Sequence, residues 1–206
     1  EARKRFDPDG ADAAFDRMVL VGHSMGGLLA KIVVQDSGSK LWDLLCSKPF
    51  DAMAGTRENR DILQEILFFK PLPEVRRVVF IATPHRGSKL DRGALHHIGL
   101  RLVRTHDPLQ AAHDRLLKAN GPGFFTPLLR EKIPTSIDQL AWGHPELLAL
   151  SALAINSGVP YHSIIADRRN PPRPGGSDGV VPYASSHLDG PRPEFLVSAG
   201  HLCQDI

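Results

Sequence analysis

Six residues, Gly22-His23-Ser24-Met25-Gly26-Gly27, follow directly on the apolar run Met18-Val19-Leu20-Val21. They read as a buried strand that turns sharply into a helix with a serine at the apex, the G-x-S-x-G pattern of a nucleophile elbow. Such a turn holds the serine backbone in a sparsely populated conformation and pushes its hydroxyl out beyond the sheet. The strand end and the helix start nearly touch, so small residues are needed two before and two after the serine. Gly22 and Gly26 stand at those positions. The first N–H groups of a helix have no intrahelical acceptor. The Met25 N–H is therefore the expected donor to an oxyanion formed beside Ser24.

The rest of the chain alternates in the same way. Met25 to Gln35 is an amphipathic helix carrying Leu28, Leu29, Ile32 and Val33 on one face, stopped at Ser37-Gly38. Two helical pieces follow, one with Leu41, Trp42, Leu44 and Leu45, the other with Ile62, Leu63, Ile66 and Leu67, and Pro71-Leu72-Pro73 ends them. Val75 to Ala82 is rich in β-branched residues and reads as a strand buried on both faces. Leu90 to Ala154 is mostly helical, with turns at Asp107-Pro108, Asn120–Gly123 and Gly143-His144-Pro145. Tyr161 to Ala166 and Glu194 to Ser198 are further strands, separated by a Pro/Gly loop at Asn170–Gly176. The expectation is an α/β fold with a mainly parallel sheet flanked by helices. It forms one domain over residues 1–206, with core strands near 16–21, 75–82, 161–166 and 194–198 and helical cap or insert segments at about 40–72 and 90–155. In such sheets ligands bind beyond the carboxyl ends of the strands.

A serine hydroxyl needs a base to take its proton, and the base needs a carboxylate to orient it and stabilise its charge. On an elbow of this kind the chain order is serine, acid, histidine. His201 follows the last strand through Ala199-Gly200 and is the preferred base; His187, in Ser185-Ser186-His187-Leu188, is its rival. The candidate acids are Asp178, in Ser177-Asp178-Gly179-Val180-Val181-Pro182, Asp167 and Asp189, each of which could instead be a turn or capping residue; Asp178 is preferred, partly through the resemblance given below. Ser24 could instead be an ordinary helix N-cap. The glycines around it, the strand before it and the helix after it favour the nucleophile.

Other chemistries find little support. A net charge of +2 with scattered basic residues argues against nucleic acid as a partner. No apolar run approaches the roughly 20 residues that span a bilayer. Cys46 and Cys203 make neither a disulfide framework nor a metal spacing. The remaining histidines, His23, His85, His96, His97, His106, His113, His144 and His162, show no metal-ligand spacing on one helix face, so no metal and no cofactor are expected. The chain opens at Glu1 without a signal-peptide pattern, and its compartment is not legible.

Four markers in order resemble the α/β-hydrolase superfamily, in particular bacterial lipases and esterases. Gly22–Gly27 resembles their elbow. Ala82-Thr83-Pro84-His85-Arg86-Gly87-Ser88 resembles the loop after the sixth strand in members akin to the PGAP-type lipid deacylases and the bacterial triacylglycerol lipases. Ser177–Pro182 resembles their acid loop, and Gly200-His201 their histidine turn. The resemblance implies a Ser24–Asp178–His201 triad. It also implies that the strands and the second oxyanion donor that normally precede the elbow are missing. The chain is thus expected to be a fragment of a larger hydrolase domain, aggregation-prone and nearly inactive by itself. Calcium-dependent bacterial lipases carry an aspartate two residues after the catalytic histidine, where Cys203 stands here.

The expected activity is hydrolysis of carboxylic esters, of lipid or acyl type, through an acyl-enzyme. Large apolar residues in the insert segments, among them Trp42, Phe50, Phe68, Phe124, Trp142 and Leu147, would pack on each other or line an acyl pocket. The partner is then a small-molecule ester or a lipid, including one presented at a membrane surface. A thioesterase or acyltransferase on the same fold is one alternative, and a non-catalytic binding protein is another.

Overall fold

The computed structural model describes residues 2–88, 107–130, 140–190 and 193–205. The helical expectations for 90–106 and 131–139, together with His96, His97 and His106, lie outside the described residues. Contacts divide the chain into two compact units. The first comprises Glu1–Gln35, Pro71–His85 and Ala154–Ile206; the second comprises Asp36–Lys70 and Arg86–Leu153.

The first unit is an α/β layer. Four strands, β1 (Met18–His23), β2 (Val75–Ile81), β3 (Tyr161–Asp167) and β4 (Glu194–Ser198), pair in that order, and every pairing is parallel. Parallel neighbours need long crossovers, and the segments between these strands supply them. A short helix, α1 (Ala2–Phe6), precedes β1, and α2 (Met25–Ile32) follows it. Period-two alternation, interrupted by one register shift between β1 and β2 at Met18/Val19, sorts the strand residues into two faces. Met18, Leu20, Val75, Val78, Phe80 and Tyr161 pack with Ala30 and Val34 of the α2 segment, and Val34, Val78 and Phe80 are sealed from water.

The other face is different. Val79, Ile81 and Ile164 are half-buried, while Val19, Val21 and Phe195 are 54%, 64% and 67% exposed. Burial of β2 on both faces, expected from its continuous apolar run, is therefore not what the structure has. A run without alternation records hydrophobicity on both faces but not whether a second layer covers both. Among the described residues this face closes over near the strand ends, where Ala82, Ala166 and Cys203 pack with Ile81, Val197 and Ala199. β1 also starts later than its sequence pattern, because Asp16 closes a 3-10 turn whose cap is Asp12, accepting from the Ala14 N–H at 2.8 Å.

The second unit is helical: α3 (Lys40–Leu45), α4 (Arg57–Leu67), α5 (Asp107–Asn120), α6 (Pro127–Arg130) and α7 (Pro145–Ala152). Trp42 anchors its core, edge-on to Phe50 and Phe124 at 4.9 and 6.2 Å and tilted to Phe68 at 6.0 Å. Its indole N–H is satisfied by the Lys48 carbonyl at 2.7 Å, as a buried Trp requires. Thr56 caps α4 by accepting from the Asn59 N–H at 3.3 Å. Asp107-Pro108, expected as a turn, instead opens α5. Proline is at home in a first helical turn, where its missing N–H would have had no partner.

Candidate active site

All three preferred residues lie in the first unit, each downstream of a strand end. Ser24 sits between β1 and α2 with φ 53° and ψ −126°. A positive φ is uncommon for a residue with a side chain and costs free energy that the surroundings must hold in place. What holds it is visible. The Ser24 N–H donates to the Ile81 carbonyl at 2.8 Å, and its own carbonyl accepts from the Gly27 N–H at 3.0 Å. Its side chain makes no helix-capping hydrogen bond. The hydroxyl lies instead 2.9 Å from His201 Nε2.

The glycine requirement is met differently from the expectation. A Cβ on Gly22 would lie 2.5 Å from the Gly27 Cα, so that close approach is real. A Cβ on Gly26 would meet nothing within 4 Å. The crowded helical position is Gly27, where a Cβ would come within 1.9 Å of Thr83 Oγ1. The reason is geometric: residue 27 faces back toward β1 and the chain leaving β2, while residue 26 faces out. Thr83, buried, places its hydroxyl 3.4 to 3.5 Å from the Ile81 and Gly22 carbonyls.

His201 and Asp178 are buried, with side chains 7% and 1% exposed. His201 Nδ1 is 2.7 Å from Asp178 Oδ2. A carboxylate only accepts, so this bond puts the ring proton on Nδ1. Nε2 is then left as an acceptor for the Ser24 hydroxyl. Asp178 is itself oriented by its other oxygen, which accepts the N–H groups of Val180 and Val181 at 2.7 and 2.6 Å. Its loop is closed by Ser177, whose hydroxyl accepts from the Gly179 N–H at 3.0 Å and donates to the Val181 carbonyl at 3.2 Å. Gly179 adopts φ +92°, which a side chain disfavours. Met25 is the first residue of α2, so its N–H stands ahead of the first intrahelical bond, one residue past the serine.

The rival residues are engaged elsewhere. Asp167 is buried at the end of β3 and accepts from Arg169 through Nε at 2.8 Å and a terminal guanidinium nitrogen at 2.7 Å, and from the Arg173 N–H at 3.0 Å. The Arg169 hydrogen bonds hold its carboxyl well below the usual carboxylate range, against the opposing effect of burial. Asp189, 83% exposed, lies 3.6 Å from His187 Nε2. His187 itself donates from Nδ1 to Glu194 at 2.6 Å. Tyr183 donates to the same carboxylate at 2.9 Å, and burial together with that bond raises its phenol above its ordinary value.

Three contributors were not singled out from sequence: Gly27, Thr83 and His23. The adjacent Gly26-Gly27 pair was a legible signal for the first. Thr83 meets Gly22 and Gly27, and His23 meets the His201 carbonyl, all far away in sequence, so no local pattern could announce those contacts. Among the described residues no group of three or more His, Cys, Asp or Glu side chains is placed to hold a metal ion. No described helix is long and apolar enough to cross a membrane. No family model matches the chain, and no curated protein matches it.

Proposed function

We propose that the protein is a serine hydrolase of α/β-hydrolase type that cleaves carboxylic esters through an acyl-enzyme. The observation that carries this reading is the unbroken hydrogen-bond series from the Ser24 hydroxyl through His201 to Asp178, at 2.9 and 2.7 Å. It is joined to a serine in strained backbone whose hydroxyl caps nothing.

The chemistry follows from these positions. His201 Nε2 takes the Ser24 proton as Oγ bonds to the ester carbonyl carbon, and the carbonyl electron pair moves onto oxygen. The Met25 N–H donates to that oxyanion. Collapse expels the alcohol, which leaves with the proton from His201 Nε2. Water then gives its proton to His201, attacks the acyl-enzyme and releases the acid as the proton returns to Ser24 Oγ. Asp178 holds the ring by Nδ1 and stabilises the imidazolium in both stages. An acyl or lipid ester is the proposed substrate. Support comes from the resemblance of the four markers to those of lipases and esterases.

The test is covalent labelling of the native protein by a fluorophosphonate, followed by a chain-length series of aryl esters with Ser24→Ala as the blank. Labelling at Ser24 and acid release that vanish in the variant are expected. A full-length wild-type protein that neither reacts with the probe nor hydrolyses any ester of the series would overturn the proposal.

A further inference from the structure

His23, the residue between the first glycine and the serine of the elbow, is not part of the proton-transfer series. It ends β1 with its side chain on the sheet face opposite to that covered by α2. Its Nε2 lies 2.8 Å from the main-chain carbonyl oxygen of His201, 178 positions away. A carbonyl only accepts, so the His23 proton must be on Nε2. The two imidazole rings are tilted against each other with centroids 5.0 Å apart.

We infer that His23 is a positioning residue, a clamp that fixes the main chain of His201 to the strand that presents Ser24. His201 stands on a turn past the end of β4. The bond from the Ala199 N–H to the Asp167 carbonyl, at 2.9 Å, precedes it, and the intervening Gly200 is exposed, with room for a Cβ that would come no closer than 3.8 Å to the Asp178 carbonyl. The bond between His201 Nδ1 and Asp178 fixes the ring's tautomer. It does not by itself set how far the turn stands from β1, because Asp178 belongs to another loop. The packing of Ala199 and Cys203 on Ile81, Ala82 and Ala166 holds the turn near the sheet, and the His23 bond ties the His201 main chain itself to β1. His23 and Ser24 are consecutive, so one short stretch holds the base by its backbone and offers its proton donor to the same residue's ring. A displacement of about 1 Å from such geometry costs on the order of a hundredfold in rate.

This inference rests on the hydrolase reading, and the experiment separates the two. The donor is removed in His23→Phe, which keeps a ring beside His201. It is restored in His23→Gln, whose side-chain N–H reaches about as far as imidazole Nε2. For each variant, kcat and KM on an aryl ester, the fluorophosphonate labelling rate and the thermal midpoint are measured beside the wild type and Ser24→Ala. Expected for His23→Phe is a fall of about a hundredfold in kcat and in labelling rate, with KM within about threefold. His23→Gln should recover most of the loss. An active wild type with a His23→Phe variant equally fast would overturn the clamp and leave the hydrolase reading standing. So would equal losses in both variants, which would make the imidazole ring itself the requirement. A full-length wild type that is inert to probe and ester would overturn the hydrolase reading, and the clamp with it.

Discussion

At the residue scale, the elbow separates two glycines that look alike in sequence. Gly27→Ala forces a methyl group into Thr83 and should destabilise the fold by about 1–3 kcal/mol, the usual cost of overpacking. Gly26→Ala meets nothing and trades glycine for the best helix former, so it should be neutral or stabilising by up to about 1 kcal/mol. Urea unfolding of the two variants checks the contrast, and equal effects would mean that α2 meets β1 in another orientation. Asp178 offers a second test. Asp178→Asn keeps the size of the side chain but can leave the His201 proton on the wrong nitrogen. A loss of about ten-thousandfold in kcat is expected, as for a triad that loses its carboxylate. Ester turnover measured with Ser24→Ala as the floor reads it directly.

At the scale of elements, the loop from β3 to Asp178 is braced at its root. Asp167 receives the Arg169 side chain and the Arg173 N–H, and a Cβ on Gly176 would lie 2.3 Å from the Asp167 carboxyl carbon. An acidic residue just past a strand end was legible as a possible catalytic acid. Its actual engagement depends on residues that a Pro/Gly-rich loop returns to it, which no periodicity encodes. Because the folded-state carboxyl is shifted downward, its contribution to stability is complete above the ordinary carboxylate range and is lost as pH falls through the depressed value. Wild-type stability should therefore decline below about pH 4 with a component that Asp167→Asn lacks. Denaturant midpoints taken across that range would show two parallel curves if the brace were absent.

At the scale of the whole molecule, the contact pattern gives two units, each with a core of its own. The helical unit buries Cys46 beside Trp42, and burial, with a smaller push from Asp43, drives its thiol up to about 12. Cys46 should resist iodoacetamide at pH 8 in the folded protein. Trp42→Ala should cost about 3–5 kcal/mol through the cavity it leaves and should make Cys46 alkylate faster; mass spectrometry of the labelled cysteine follows both. Rapid alkylation of Cys46 in the folded wild type would contradict its burial. The sequence by itself determined the strand–turn–helix around Ser24 and the four strands, and it offered Ser24, Asp178 and His201, which the structure joins by hydrogen bonds, because hydrophobic period, glycine and proline are local signals. The tertiary structure alone decided which glycine is crowded, which face of the sheet is covered, that Asp167 serves Arg169, and that His23 meets the His201 backbone. Apart from the Asp167–Arg169 pair, which lies within one turn, those are contacts between segments tens of residues or more apart, and their energies depend on positions in space that a linear pattern does not carry.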